Sequence, residues 1–287
     1  MTHDLLSMME AKMPSFSKGQ RAISRYIIDN YEKAAYMTAA RLGSISGVSE
    51  STVVRFAIEL GFEGYPEMQR ALQELTRTKL NSVQRMEVTN TLIGNSDVLD
   101  KVLTSDMDKI RKTLEEIDKT AFYEAIDKIV AAKNIYIIGV RSSSALAGFL
   151  NYNFRMIFDN VRLIQTTSGS EMFEQIMRIG EGDVMIAISF PRYSKRSINA
   201  VSFARAHGAN VVAITDSAQS PIAAHANQLL TACSDMASFV DSLVAPLSII
   251  NAMIVALARK KKDELTVRLH ELEQIWDEYD VYDKSST

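Results

Sequence analysis

The sequence predicts an α/β chain in two parts: an all-α helix-turn-helix domain, then a parallel five-stranded α/β sandwich. Three observations carry that expectation. Apolar residues recur at helical spacing up to about residue 80, and short, almost wholly apolar runs alternate with helical patterns from residue 134 onward. Hydroxyl residues gather just after those runs. Strands that are apolar throughout belong where helices cover both faces of a sheet, which is the setting of parallel strands. A chain of 287 residues has room for two domains of roughly 150 residues each. The boundaries expected are 1–80 for the head, 81–119 for linker helices, 120–262 for the sheet domain and 263–287 for a C-terminal helix and tail.

Composition narrows the class. With 47% hydrophobic and 23% charged residues, 12 Gly and one Cys, the chain is neither disordered, collagen-like nor disulfide-stapled. Lone Cys233 forms no intrachain disulfide, and the opening MTHDLLSMMEAKMP lacks the apolar core of a signal peptide, so a cytoplasmic location is expected. The longest apolar stretch, 242–258, is broken by Pro246, Ser248 and Asn251 and falls short of the roughly 20 residues that cross a bilayer. It reads as a buried helix or a subunit interface, with no membrane partner. The net charge of −3 conceals an asymmetry: residues 1–85 carry 11 Lys/Arg against 9 Asp/Glu, and the remainder 21 against 26. A weakly basic head on an acidic body permits phosphate contact by the head.

Within the head, Ser17 and Gln20 predict a capping box that opens a helix carrying Ile23, Tyr26 and Ile27 on one face. Gly61, Gly64 and Pro66 are expected to stop the helical pattern, and a polar stretch over 74–97 to form a linker helix or a frayed connection. Residues 38–61 read TAARLGSISGVSESTVVRFAIELG. Thr38 caps a first helix, Gly43 allows a close helix crossing, Gly47 takes the turn position that tolerates positive φ, and Ser49 caps a second helix. Val53, Phe56, Ala57 and Leu60 then make the buried stripe, which leaves Ser51, Thr52, Arg55 and Glu59 outside. A recognition helix offers its N-terminal residues to base edges, so Thr38, Ser49, Ser51, Thr52 and Arg55 are the expected DNA-facing residues. Gly61 is the expected left-handed cap, with Phe62 packing behind it.

In the second part, strands are expected over 135–140, 161–165, 184–189, 211–215 and 229–231. Open α/β sheets bind ligands beyond the carboxyl ends of their strands. There the chain carries Arg141, Ser142, Ser143 and Ser144 after the first strand, Thr166 to Glu171 after the second, Ser189 through Arg196 after the third, and Asp216 with Ser217 after the fourth. Hydroxyls beside helix N-termini bind anions, and Arg192, Lys195 or Arg196 can add charge-assisted bonds to phosphate. The expected ligand-binding residues are Arg141, Ser142, Ser143, Ser144, Glu171, Ser189, Arg192 and Ser194. Neither a dinucleotide fingerprint nor a P-loop is present, and no H-E-x-x-H, clustered Cys/His set or G-x-S-x-G occurs. No cofactor, metal or catalytic residue is therefore expected. His207, before Gly208, reads as the satisfied end of a helix, and His225 as a surface residue.

These motifs resemble a known family. VSESTVVRFAIELGF, with Gly64, Tyr65 and Pro66 beyond it, is similar to the helix-turn-helix of RpiR-type bacterial transcriptional regulators. The segments IYIIGVRSSSALA and VMIAISFPRYSKRSINAVSFARAHGANVVAITDSAQSPIAAHAN resemble the sugar isomerase (SIS) domain that such regulators carry. The resemblance implies a flavodoxin-like, phosphosugar-sensing sheet and a homodimer or homotetramer that positions paired heads on double-stranded operator DNA. It also implies a first-loop serine at Ser143 and phosphate-loop hydroxyls at Ser189 and Ser194. Arg141 and Ser144 stand where that family has loop glycines, and Pro191 with Arg192 where a Ser-Gly pair is frequent. Those departures point to an acidic ligand held partly by charge. The expected function is a transcriptional regulator, a repressor by default, controlled by a phosphorylated sugar or related acidic metabolite. The alternative is a sugar-phosphate isomerase with a helical oligomerisation domain.

Overall fold

The computed structural model describes residues 5–79, 81–94, 97–235 and 240–282. Its contacts divide into two compact units, one of residues 1–101 with 235–241 and one of residues 102–234 with 242–287.

Among the described residues, seven α-helices build the first unit: α1 (Leu5–Lys12), α2 (Lys18–Asp29), α3 (Tyr31–Ala34), α4 (Ala39–Ser46), α5 (Glu50–Glu59), α6 (Tyr65–Lys79) and α7 (Ser82–Ile93). The capping box at Ser17 and Gln20 forms as expected, with each residue's side chain bonded to the other's backbone N–H. Ile23, Ile27, Leu42, Val53 and Phe56 are fully buried, and the Phe16 and Phe56 rings meet edge to face at 5.3 Å. Each such aliphatic side chain contributes roughly 1.5–3 kcal/mol by leaving water. Pro66 does not stop the helical pattern. It lies in the first turn of α6, where its missing N–H removes no intrahelical bond. The rest of α6 satisfies the chain end after α3: the Tyr65 hydroxyl donates to Met37 O at 2.7 Å, Gln69 Nε2 to the same oxygen at 2.6 Å, and Gln73 Nε2 to Ala35 O at 3.1 Å. Burial pushes the Tyr65 pKa up to about 12, so the hydroxyl keeps its proton for that bond. On α7, Arg85 is 1% exposed and pairs with Asp241 at 2.8 Å.

The second unit begins within α8 (Val98–Glu116) and continues through α9 (Lys119–Val130) into an alternation of strands and helices. These are β1 (Ile135–Gly139), α10 (Ser143–Ile157), β2 (Val161–Ile164), α11 (Gly169–Ile176), β3 (Val184–Ile188), α12 (Lys195–Ala206), β4 (Asn210–Thr215) and β5 (Gln228–Thr231). Two helices, α13 (Val244–Lys260) and α14 (Lys262–Glu278), close the chain. The five strands are parallel in the order β2-β1-β3-β4-β5, so the direction of winding reverses between β1 and β3. Every residue of β1 and β3 is buried, as predicted for strands covered on both sides. Successive residues serve opposite cores: Ile135 and Ile137 face Leu150, Phe154 and Ile250, while Tyr136 and Ile138 face Met172, Ile176 and Val201. Helix α13 puts Ile249, Ile250, Met253 and Leu257 into the first of those cores, which settles its main face as interior.

Candidate functional site

The helix-turn-helix forms where the residues require it. Thr38 caps α4 by accepting the Arg41 N–H at 3.2 Å. Gly47 ends α4 with φ of 68°, a left-handed turn that glycine enters without a side-chain clash. A β-carbon on Gly43 would lie 2.9 Å from Val48 O, so only glycine allows α4 and the turn to meet so closely. Ser49 caps α5 through Thr52 N–H, and its hydroxyl also bonds those of Ser51 and Thr52 at 2.9 and 2.8 Å. Arg55 lies one turn on, with Nε donating to Ser51 O at 3.3 Å. Ser51, Arg55 and Glu59 are exposed and Thr52 half-buried, opposite fully buried Val53, Phe56 and Ala57. The structure thus collects Ser49, Ser51, Thr52 and Arg55 on the first two turns of α5 and leaves exposed Thr38 at the start of α4. Gly61, at φ of 99°, closes α5, and Phe62 N–H donates to Ala57 O at 3.1 Å.

The second unit carries a polar rim at the carboxyl ends of its strands. Gly139 ends β1 so close to α10 that a β-carbon would sit 2.4 Å from Ser143 O. The chain then passes through Arg141, which takes a left-handed φ of 59°, to Ser142 and buried Ser143 at the start of α10. Ser144 donates its hydroxyl proton to Arg141 O at 2.6 Å and so braces the turn. After β3, buried Ser189 and Phe190 lead to Arg192, again left-handed at φ of 67°. Ser194 caps α12 by accepting Arg196 N–H at 3.3 Å, and the Tyr193 hydroxyl donates to Asp216 at 2.8 Å.

After β2, Thr166 is the hub. Its hydroxyl bonds the Glu171 carboxylate and accepts Ser168 N–H at 3.0 Å, and its carbonyl accepts Arg196 Nη1 at 3.0 Å. Glu171 is thereby held at the start of α11. Beside it, a cavity of about 430 Å³ is lined by Gly139, Arg141, Ser144, Gln165, Thr166 and Arg196, among others. Of the expected ligand residues, Arg141 and Ser144 line this cavity. Ser142 and Ser143 lie in the adjoining turn, and Ser189, Arg192 and Ser194 follow the neighbouring strand.

Residues 3–79 match the model of the helix-turn-helix domain of the rpiR family, and residues 128–256 match the SIS domain. The chain belongs to the RpiR family. Among curated relatives of this RpiR-type regulator is the HTH-type transcriptional regulator HexR of Escherichia coli, 25% identical over 79% of this chain and 77% of the relative. Among solved structures, the Vibrio vulnificus NanR protein complexed with ManNAc-6P superposes with a TM-score of 0.59 at 22% identity, covering 96% of this chain and 99% of that one. The sugar isomerase domain of an RpiR transcription factor from Sphaerobacter thermophilus gives 0.58 at 25% identity, over 61% of this chain and 97% of that one.

The chain is an RpiR-type regulator with a SIS domain, and its curated relatives are named HTH-type transcriptional regulators. His207 ends α12, its Nδ1–H donating to Phe203 O at 2.8 Å and its ring stacking on that of Phe203, so it precedes β4 at the opposite edge of the sheet. His225 precedes β5 in the same way and is half-buried rather than on the surface. No helix among the described residues is long and apolar enough to cross a membrane.

Sequence reasoning did not put Gln165 or Thr166 among the binding residues, and it named Arg196 only as one of three basic candidates. Their signal was the length of the second hydroxyl run, 166–170, which is longer than one helix cap needs.

Proposed function

We propose that this RpiR-family regulator is a cytoplasmic repressor that reads operator DNA with the first two turns of α5 and binds a phosphorylated sugar or related acidic metabolite at the strand-end rim. One observation carries the ligand reading. Among the described residues of the second unit, the buried serine hydroxyls without a hydrogen-bond partner are those of Ser197, Ser217, Ser220 and Ser234, and all four follow the carboxyl ends of β3, β4 or β5. Each unmade bond costs about 1–3 kcal/mol, and a polyhydroxy anion seated at the rim is the kind of molecule that offsets it. Ser143, Ser189, Ser194 and the start of α12 supply donors suited to the phosphate, with Arg192 beside them.

The protein acts as a homodimer or homotetramer in this reading. Helix α8 is inverted: it buries Lys109 and Thr113 while exposing Leu103, Met107, Ile110 and Leu114. Lys109 reaches Ser105 at 2.7 Å, and Thr113 accepts Cys233 N–H at 2.9 Å. The exposed residues repeat at intervals of four, three and four, the spacing of a helix seam that a second copy covers. Two copies then place two α5 helices on a pseudo-palindromic site.

A thermal-shift screen of sugar phosphates and sugar acids tests the ligand half. A stabilising compound is expected, and the Ser189→Ala, Arg192→Ala double variant is expected to lose its shift. Equal stabilisation of both proteins removes the rim assignment.

A further inference from the structure

Helix α2 carries a basic face that neither the core of the head nor the stability of the helix explains. Lys18, Arg21 and Arg25 recur at intervals of three and four, so they share one side, opposite fully buried Ile23 and Ile27. All three are exposed. Among the described residues none of them takes part in an ion pair, not even with Glu50, the acidic residue in the first turn of α5. The first turn of α2 holds no acidic residue, and Lys18 opens it directly after the Ser17 cap. A cation there opposes the helix dipole, which favours negative groups at an N-terminus. Positive charge kept where the helix itself prefers negative calls for an anion supplied from outside the chain.

The packing of the head identifies that anion. The first turn of α2 lies against the start of α5: a β-carbon on Gly19 would sit 3.1 Å from Val48 Cγ1 and 3.8 Å from Thr52 Cγ2. A larger residue would push the two helix starts apart. Gln20, beside Gly19, donates to the Glu59 carboxylate and so holds α2 on α5 a second time. The basic face therefore begins one residue from the contact with Thr52, next to the side chains expected to face DNA. A helix seated in the major groove brings its neighbouring surface to the sugar-phosphate backbone, where Lys, Arg and helix N-termini bind phosphate.

Resting on the reading of α5 as the DNA-reading helix, we propose that the N-terminal half of α2 is a second DNA contact, in which Lys18, Arg21 and Arg25 hold backbone phosphates beside the groove that α5 enters. This contact supplies affinity and orientation and carries no base information.

The test is fluorescence anisotropy of the full-length protein on two duplexes of equal length, one selected by the protein from random sequence and one scrambled, over a series of salt concentrations. The Lys18→Gln, Arg21→Gln double variant is expected to lose affinity for both duplexes by one factor, on the order of tenfold at about 0.1 M salt. Its plot of log affinity against log salt is expected to flatten by about 2, close to one unit per phosphate contact, and that of Arg25→Gln by about 1. Lys18→Arg keeps the charge and retains the wild-type slope. Arg55→Ala, by contrast, costs the selected duplex more than the scrambled one. An unchanged salt slope in the double variant, a loss confined to the selected duplex, or a loss that tracks a fall in melting temperature overturns the α2 contact while leaving the α5 reading in place. Failure of the wild-type protein to bind either duplex at low salt overturns both.

Discussion

The two units hold their candidate anion-binding arginines in opposite ways. In the head, Arg55 projects from a regular helix and steadies itself one turn back on Ser51 O, while the positive-φ turns around it, Gly47 and Gly61, are glycine. In the sheet unit, positive φ is again glycine at Gly182 and Gly208, which precede β3 and β4. At the carboxyl ends, after β1 and β3, Arg141 and Arg192 occupy it instead. The same backbone conformation therefore carries a turn residue at one edge of the sheet and a charge at the other. A long side chain kept where glycine fits better marks a place where charge matters more than turn stability.

That contrast can be broken by substitution. The largest effect is expected from Gly139→Ala, whose β-carbon meets Ser143 O: the turn beneath the rim loses about 3 kcal/mol, read by urea unfolding of the full chain. Next comes Arg55→Ala, expected to weaken operator binding by about 2 kcal/mol in an anisotropy titration while leaving ligand thermal shifts intact. Equal loss of both responses contradicts the division of labour between the units. Gly47→Ala follows at about 1 kcal/mol, because open space surrounds the site and only the left-handed backbone opposes the new residue. The smallest change belongs to Arg141→Gly, expected to alter stability by less than about 0.5 kcal/mol, since relief of strain at φ of 59° opposes the added freedom of the unfolded chain. A loss as large as that from Gly139→Ala shows that Arg141 serves the fold.

Much of this was legible in the residues. Alternation of apolar runs with helical patterns located all five strands to within one residue at each end, most plainly β1 and β3, in which every residue is buried. Cap chemistry located α2, α4 and α5, since Ser17, Thr38 and Ser49 each satisfy N–H groups that nothing else reaches. Helix α6 was harder: Pro66 reads as a breaker by composition, and only its place in the first turn makes it permissible. At the rim, the turns at Gly139 and Ser194 are local and could be anticipated. The bond from Arg196 to Thr166 spans 30 residues and depends on how α12 packs beside the end of β2, which no local pattern encodes.

Ligand at the rim is expected to change the grip of α5 on DNA. The direct measurement is fluorescence anisotropy of a DNA fragment selected for binding, titrated with the full-length protein with and without a saturating compound from the thermal-shift screen. Wild-type affinity is expected to change by roughly 5- to 150-fold, and that of the Ser189→Ala, Arg192→Ala variant to stay fixed. An operator affinity indifferent to saturating ligand, or an equal change in the variant, contradicts the claim.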